Sequence, residues 1–568
     1  TDVTSQKFYV YNNSEVWVDD DYTGSEVGFG SLYFQTIQGG VDGVADNGTV
    51  NVAAGTYTEQ VVINKSLVLT GNDKSNTIIK APDGRTGTVD QVKVGGGTDT
   101  WDYIIAAYPS TGTINVKIEG FTIDADAKTM QPGTAGLLGI FFRDVNGIDA
   151  GLYSCAIQNF EQVEYKSWGV RVYGNSDLTI DNNTLSSYTR DGIVINGDND
   201  TGSDPVVTIS NNAITGSALS LNGIGFGYGA TGTISGNTIK DNTRSAPWAA
   251  SGIYIYVSSG ITLTGNTIEG CFYGISLDEA NSCTVSGNTL SDVIKRSISL
   301  DNSSNNTIKG NTINGPVSGT DDTAIGLDNN CANNIIGGSS SEDGNIITMA
   351  TEGTGVLYAI YMQSNIGDNS NTIQYNTITG GQRAVQFDGP PGDIGNTVIS
   401  YNTFIGQAYG GIISSSQGDL SITYNSITGT PRPLEFWQGG IGSITITDNT
   451  LASTSFNVIQ AGSFGTMTVH NNNLSSLGAR GISNETTTII DAEDNWWGSA
   501  NGPTHAGNTF NVGSQGIPVS DYVDYVPWLN DVPGTGVSFA PVINVTAEPD
   551  KYYSSIQAAV NDATASDE

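Results

Sequence analysis

The stretch GNTIEGCFYGISLDEANSCTVSGNTL, residues 265–290, holds one complete period of the chain. It opens on Asn266-Thr267-Ile268, passes the alternating triplet Ile275-Ser276-Leu277, and arrives at Asn288-Thr289-Leu290. Tripeptides of this type recur with their Asn at 183, 212, 237, 266, 288, 311, 345, 376, 402, 425, 449, 472 and 495. Their spacings run from 22 to 34, with 22 to 23 as the floor, as expected of one closed turn of chain with insertions in its loops.

A second phase repeats inside each period. Val170-Arg171-Val172, Ile193-Val194-Ile195, Ile224-Gly225-Phe226, Ile253-Tyr254-Ile255, Ile298-Ser299-Leu300, Ile325-Gly326-Leu327 and Ile360-Tyr361-Met362 all alternate apolar with variable residues. Period-two alternation with β-branched residues marks half-buried strands and excludes helical repeats. Strands that recur once per turn must run parallel to their counterparts, so like positions stack at about 4.8 Å. The fold expected is therefore all-β, a right-handed parallel β-helix solenoid. Each Asn is expected to sit at a sharp bend, to take the left-handed conformation there, and to bond its counterparts above and below.

Composition agrees with a polar skin around an apolar interior. Of 568 residues 73 are Gly, only 14% are charged, and Tyr, Phe and Trp number 25, 16 and 8, too many aromatics for a disordered acidic chain. The formal charge of -36 and a pI near 4.1 argue against nucleic acid and anionic membranes, which need a basic footprint. No apolar run reaches the roughly 18 residues of a membrane span. The start Thr1-Asp2-Val3, with neither initiator Met nor signal peptide, reads as a processed or trimmed chain. Cys155, Cys271, Cys283 and Cys331 show no metal-ligand spacing and read as buried small residues, with room for one bridge.

These residues resemble the pectin-lyase-like β-helix superfamily, and more closely the repeat-built cell-surface β-helices of archaea and bacteria. The segments that carry the resemblance are Val18-Asp19-Asp20-Asp21-Tyr22, residues 48–59 followed by Lys65-Ser66-Leu67-Val68-Leu69, the Asn-Thr-Ile repeats, Asn495-Trp496-Trp497-Gly498 and Val526-Pro527-Trp528-Leu529. The resemblance implies fold rather than activity, since lyases, hydrolases, adhesins and structural proteins share it. Residues 1–30 are expected as an N-terminal arm, 31–530 as the β-helix, 531–545 as a linker and 546–568 as the start of a second module or an assembly segment. Within 31–44, Tyr33, Ile37, Val41 and Val44 fall at helical spacing and suit a short cap over the open end. Tyr552-Tyr553-Ser-Ser-Ile556-Gln-Ala-Ala-Val560 repeats that cap at a constant offset of 519 residues.

Three functional readings follow. The first is a non-enzymatic extracellular structural or adhesive element of a cell envelope, sheath, S-layer or filament, secreted and assembled head to tail through Tyr552, Tyr553, Ile556 and Val560. The second is a calcium-dependent polysaccharide lyase or glycoside hydrolase in the outer groove, with Asp278, Asp301 and Asp328 in one column and Arg296 as base. Like charges about 4.8 Å apart repel by roughly 0.9 kcal/mol in water and about 3.5 kcal/mol at an effective dielectric of 20, so such a column invites a cation. Against it, the Gly-His-Gly and Arg-Ile-Lys steps of polygalacturonases and the Arg-x-Pro-x-x-Arg of pectate lyases are absent. The third is a carbohydrate-binding module displaying Tyr254, Tyr361 and Trp437. Asp198, Asp200 and Asp204 form an oxygen-rich loop suited to Ca²⁺, although nothing in the sequence requires a cofactor.

Overall fold

In a computed structural model of the chain, the described residues are 12–92, 97–160, 165–197, 204–316, 322–350, 357–363, 370–388, 393–415, 417–437, 442–544, 551–553 and 556–562. They fall into two compact units, Thr1–Thr284 and Val285–Glu568.

The first unit is a stack of parallel turns with three sheet faces. One face carries Glu15–Val18, Gly48–Val52, Leu67–Gly71 and Val116–Glu119, and continues to Thr231–Ser235. The second runs from Gly55–Thr58 through Thr184–Ser186 to Thr267–Glu269. The third holds Leu137–Arg143, Ser167–Tyr173, Asp191–Asn196, Asn222–Gly227, Ser251–Tyr256 and Tyr273–Asp278. Inward residues stack on their own kind: Ile180, Ile209 and Ile234 on one face, and Ile214, Ile239 and Ile268 on the next, are almost wholly buried. The second unit repeats the plan, for example with Arg296–Asp301, Asp322–Asp328, Leu357–Gln363, Arg383–Asp388, Gly410–Ser414 and Arg432–Phe436 on its third face.

The Asn column is a hydrogen-bonded ladder. In the first unit Asn183 Nδ2 donates to Asn212 Oδ1 at 3.0 Å, Asn212 to Asn237 at 2.9 Å and Asn237 to Asn266 at 2.9 Å. In the second unit the same bond links Asn288 to Asn311 at 3.0 Å and continues without a break to Asn472 and Asn495 at 3.0 Å. One part of the expectation is corrected. The left-handed residue is the one before the ladder Asn, such as Asn182, Asn211, Tyr401 or Tyr424, with φ between 55° and 58°. The preceding residue makes the bend, which leaves the Asn amide free to turn inward and bond along the axis.

The ends differ from the boundaries expected. Residues 1–30 are not simply an arm, because Glu15–Val18 already pairs with Gly48–Val52. The cap is the helix Ile37–Gly43, with Thr36 capping Gly39 N. Glu59 accepts from Ile37 N at 2.8 Å and Gln38 N at 2.9 Å. The stretch 531–545 is not a plain linker: Ser538–Phe539 pairs antiparallel with Trp528–Leu529, and Phe539 packs against the fully buried Trp528. Lys551–Tyr553 pairs with Val542–Asn544 and leads into a helix, Ile556–Asp562. Ile556 and Val560 are exposed there, Tyr553 hydroxyl reaches Asp562, and the Tyr552 side chain lies outside the described residues. The four cysteines are buried and free, so the bridge allowed by the sequence is not made. Burial pushes the Cys155 thiol up to about 12 and the Cys271 thiol to about 11.

Candidate functional site

On the outer side of the first unit's third face, a hairpin interrupts the parallel plan. Thr88–Val92 pairs antiparallel with Thr98–Ala107, which itself joins the parallel stack beside Leu137–Arg143. The hairpin covers outward residues of that face: Val89 and Trp101 pack with Leu138, Phe141, Trp168 and Val194 in a second apolar cluster. Beyond its edge the face opens into a groove of about 780 Å³.

One wall is aromatic and charged together. Trp101 meets Trp168 edge to face at 4.7 Å between ring centres. The Arg171 guanidinium lies 4.6 Å from the Trp101 ring, and its Nε donates to Gln91 Oε1 at 2.6 Å. Burial lowers Arg171 to about 10 by disfavouring its charge, with Asp191 acting in the opposite sense. Asp191 is itself 5% exposed. Its Oδ2 accepts from Trp168 Nε1 at 2.9 Å and its Oδ1 from Asn222 Nδ2 at 2.8 Å, while Arg190 Nε stands 3.8 Å away. Burial still holds the Asp191 carboxyl above the usual carboxylate range, against the pull of these partners.

The opposite wall is tyrosine-rich. Tyr254 and Tyr256 stack at 6.0 Å, 11° from parallel, and the Tyr254 hydroxyl donates to Asp278 Oδ2 at 2.9 Å. Trp248, 55% exposed, stands at the rim on the insertion between Lys240 and Ser251, with the Arg190 guanidinium 5.0 Å from its ring. The arrangement offers several rigid aromatic surfaces and a few fixed polar groups, the usual make-up of a site for a ring-shaped ligand with polar edges.

The residues singled out from sequence are distributed as follows. Tyr254 lines the groove. Tyr361 lines a smaller cavity in the second unit, about 250 Å³, with Arg296, Tyr358, Gln363 and Asp388. Trp437 is 44% exposed and lines neither. The column of acids does not stand as bare charge: Asp278 accepts from Tyr254, Asp301 from Asn302 Nδ2 at 3.0 Å and from Asn329, and Asp328 pairs with Arg296. Arg296 is thus held by an ion pair. Two other arginines of its column are stacked on rings, Arg383 on Tyr358 and Tyr409, and Arg432 on Tyr409 and Phe456. Of the loop proposed for Ca²⁺, Asp204 is described, whereas Asp198 and Asp200 lie outside the described residues. No group of three or more His, Cys, Asp or Glu suited to a metal occurs among the described residues.

Sequence reasoning missed Trp101, Trp168, Arg171, Asp191 and Trp248. A signal did exist: Arg171 is, with Glu435 of Leu434-Glu435-Phe436, one of two charged residues at the centre of the alternating triplets of the third face, and the spacing of 29 from Asn237 to Asn266 marks the insertion that carries Trp248.

The family model described as "Right handed beta helix region" matches residues 168–341. No curated protein matches the chain. Among solved structures, the mannuronan C-5 epimerase AlgE6 A-module of Azotobacter vinelandii is similar at 17% identity over 74% of this chain and 97% of its own, with a TM-score of 0.37. The GH136 lacto-N-biosidase from Eubacterium ramulus is similar at 11% identity over 64% and 67%, TM-score 0.43. Pre-mature bacteriophage phi29 gene product 12 is similar at 13% identity over 87% and 72%, TM-score 0.39. Likeness this distant says nothing of activity. No helix among the described residues is long and apolar enough to cross a membrane. The fold is a right-handed parallel β-helix, as the repeats, the ladder and the matched region agree.

Proposed function

We propose that this chain is a non-enzymatic carbohydrate-binding β-helix, an adhesive element of a cell exterior that holds a glycan in the groove of its first unit. The observation that carries this reading is the groove itself, with Trp101, Trp168, Trp248 and Tyr254 around a polar floor. Sugar rings present apolar C–H faces and hydroxylated edges, and aromatic side chains with fixed polar neighbours match both. The groove crosses five strands of the third face, from Ser167–Tyr173 to Tyr273–Asp278. At about 4.8 Å per strand this is a span on the order of 20 Å, long enough for several linked rings.

A competing hydrolase would use Asp99 of the same lining together with the raised Asp191 carboxyl, and the binding reading rests on how Asp191 is held. Both of its oxygens already accept hydrogen bonds, from Trp168 and from Asn222, so it works as a brace for the wall. Hydrolysis of a glycoside needs an acid with a proton to give, usually opposite a second carboxylate. The test is an array of linear oligosaccharides, followed by calorimetry on the best binder with native protein and Trp248→Ala. Saturable binding without turnover, weakened in the variant, is expected. Cleavage or epimerisation of any glycan, lost in Asp191→Asn, would overturn the non-enzymatic reading. No binding to any glycan would overturn the groove reading as a whole.

A further inference from the structure

Two glycines on one strand of the groove floor behave differently. Gly223 is fixed by packing: a Cβ there would stand 2.5 Å from Ile239 Cγ2 and 2.7 Å from Gly252 O. Gly225, two residues on, is not. A Cβ there would meet Val194 Cγ2 at 3.6 Å and Tyr254 O at 3.9 Å, which are ordinary contacts, and its φ lies outside the left-handed region. Gly227 is tighter, with the Asn196 side-chain amide 3.3 Å from the same built position, so a Cβ there would need that amide to give by a few tenths of an ångström, and its φ is unremarkable. At Gly225 neither backbone conformation nor close packing demands glycine, and at Gly227 the backbone does not. Glycine in a strand is destabilising relative to alanine, so its presence at Gly225 calls for another reason.

Both glycines line the groove. In the register of the sheet, Gly225 lies between Val194 below and Tyr254 above, and Gly227 between Asn196 and Tyr256. Two missing side chains on one strand therefore leave a gap one strand wide, bordered on one side by the stacked Tyr254 and Tyr256. Asn222 and Ser251, on the same two strands, line the groove with polar groups.

We propose that the gap at Gly225 and Gly227 is a subsite that seats one pyranose ring of a linear glycan, with Tyr254 beside it. This rests on the groove reading above. The fit is to a rigid ring, apolar on its faces and hydroxylated around its rim, entering where a side chain would otherwise stand. Gly225 is then a specificity-determining residue whose role is to be absent.

The experiment measures affinity for cellopentaose, mannopentaose, chitopentaose and pentagalacturonate with native protein, Gly225→Ala, Gly225→Leu and Trp248→Ala. At least one pentamer binds the native protein. Gly225→Ala keeps its affinity within about threefold, and Gly225→Leu weakens it at least tenfold, with an unchanged or higher melting temperature. Should Leu lower the melting temperature, Gly225→Val reads the same gap with the residue found at 194. A Leu or Val variant that folds and binds like the native protein overturns the subsite, while loss of binding in Trp248→Ala still upholds the groove. If no pentamer binds the native protein, or binding is indifferent to Trp248 and Gly225 alike, both readings fall.

Discussion

The two units carry the same local arrangement with opposite results. Gly225 sits one rung below the outward Tyr254, and Gly326 one rung below the outward Tyr361. In the first unit the space over the glycine is open and belongs to a groove of about 780 Å³; in the second the neighbouring cavity is about 250 Å³. The difference lies in two side chains. Asp191 and Arg296 occupy equivalent positions, each three residues before the outward centre of its strand, and Gly227 and Asp328 likewise follow their glycines by two. Arg296 reaches across Gly326 to pair with Asp328, so that a Cβ on Gly326 would meet Arg296 Nη1 at 3.1 Å. Asp191 is too short to do this, turns instead to Trp168 and Asn222, and leaves the gap free. One backbone thus yields an open site or a filled one according to the side chains at two positions, Asp191 and Gly227 in the first unit and Arg296 and Asp328 in the second.

The largest effect expected is on the open site. Trp168→Ala removes the ring packed on Trp101 and the N–H held by Asp191, and should cost about 3–5 kcal/mol in denaturant unfolding together with glycan binding. Tyr361→Ala, on a ring exposed at one side, should cost no more than about 2 kcal/mol and leave binding unchanged. A reversed order would break the comparison.

The ladder is common to both units and should not distinguish them. Asn237→Ala and Asn402→Ala each delete a buried amide that bonds the next Asn and backbone carbonyls of its own and the preceding turn. Each should cost about 2–4 kcal/mol in the same measurement, with the two values close to one another. A large disparity would mean that the scaffolds differ as well as the sites.

Arg296→Met keeps an unbranched apolar stem and removes the guanidinium and its charge. Asp328 then loses its ion pair while its Oδ1 is already buried without a hydrogen-bond partner, and the loss should be about 1–2 kcal/mol by thermal or urea unfolding. The smallest effect concerns pH. Burial raises the folded-state value of Asp191 above its unfolded value near 4, so the native state binds that proton more tightly. Its contribution is therefore most favourable below the unfolded value and declines as pH rises through the raised one. Asp191→Asn should flatten the stability profile above the unfolded value, from about pH 4 upward. A profile as steep as that of the native protein would place the titration elsewhere.

Fold was largely legible because it is written in repetition. Asn266 to Asn288 gives the length of a turn, and Ile275-Ser276-Leu277 gives the alternation of a buried strand. The site was legible only in part, because it arises where repetition is broken. Tyr254 could be chosen as an outward aromatic, but so could Tyr361, and nothing local to either residue tells that Arg296 fills one neighbourhood and a hairpin walls the other. That hairpin, Thr88–Val92 with Thr98–Ala107, brings Trp101 against Trp168, 67 positions further along the sequence, a pairing that periodicity does not encode. Asp278, Asp301 and Asp328 form a column of charge in the sequence, and spacing alone does not reveal that Tyr254, Asn329 and Arg296 each take one of them.

The most direct measurement is a crystal structure of the native protein soaked with the pentasaccharide it binds best. Ordered density for a sugar ring in the gap over Gly225 and Gly227, beside Tyr254, with none against Tyr361, is the result expected. Density seated against Tyr361 or Trp437, with the Gly225 gap holding only water, would contradict the account.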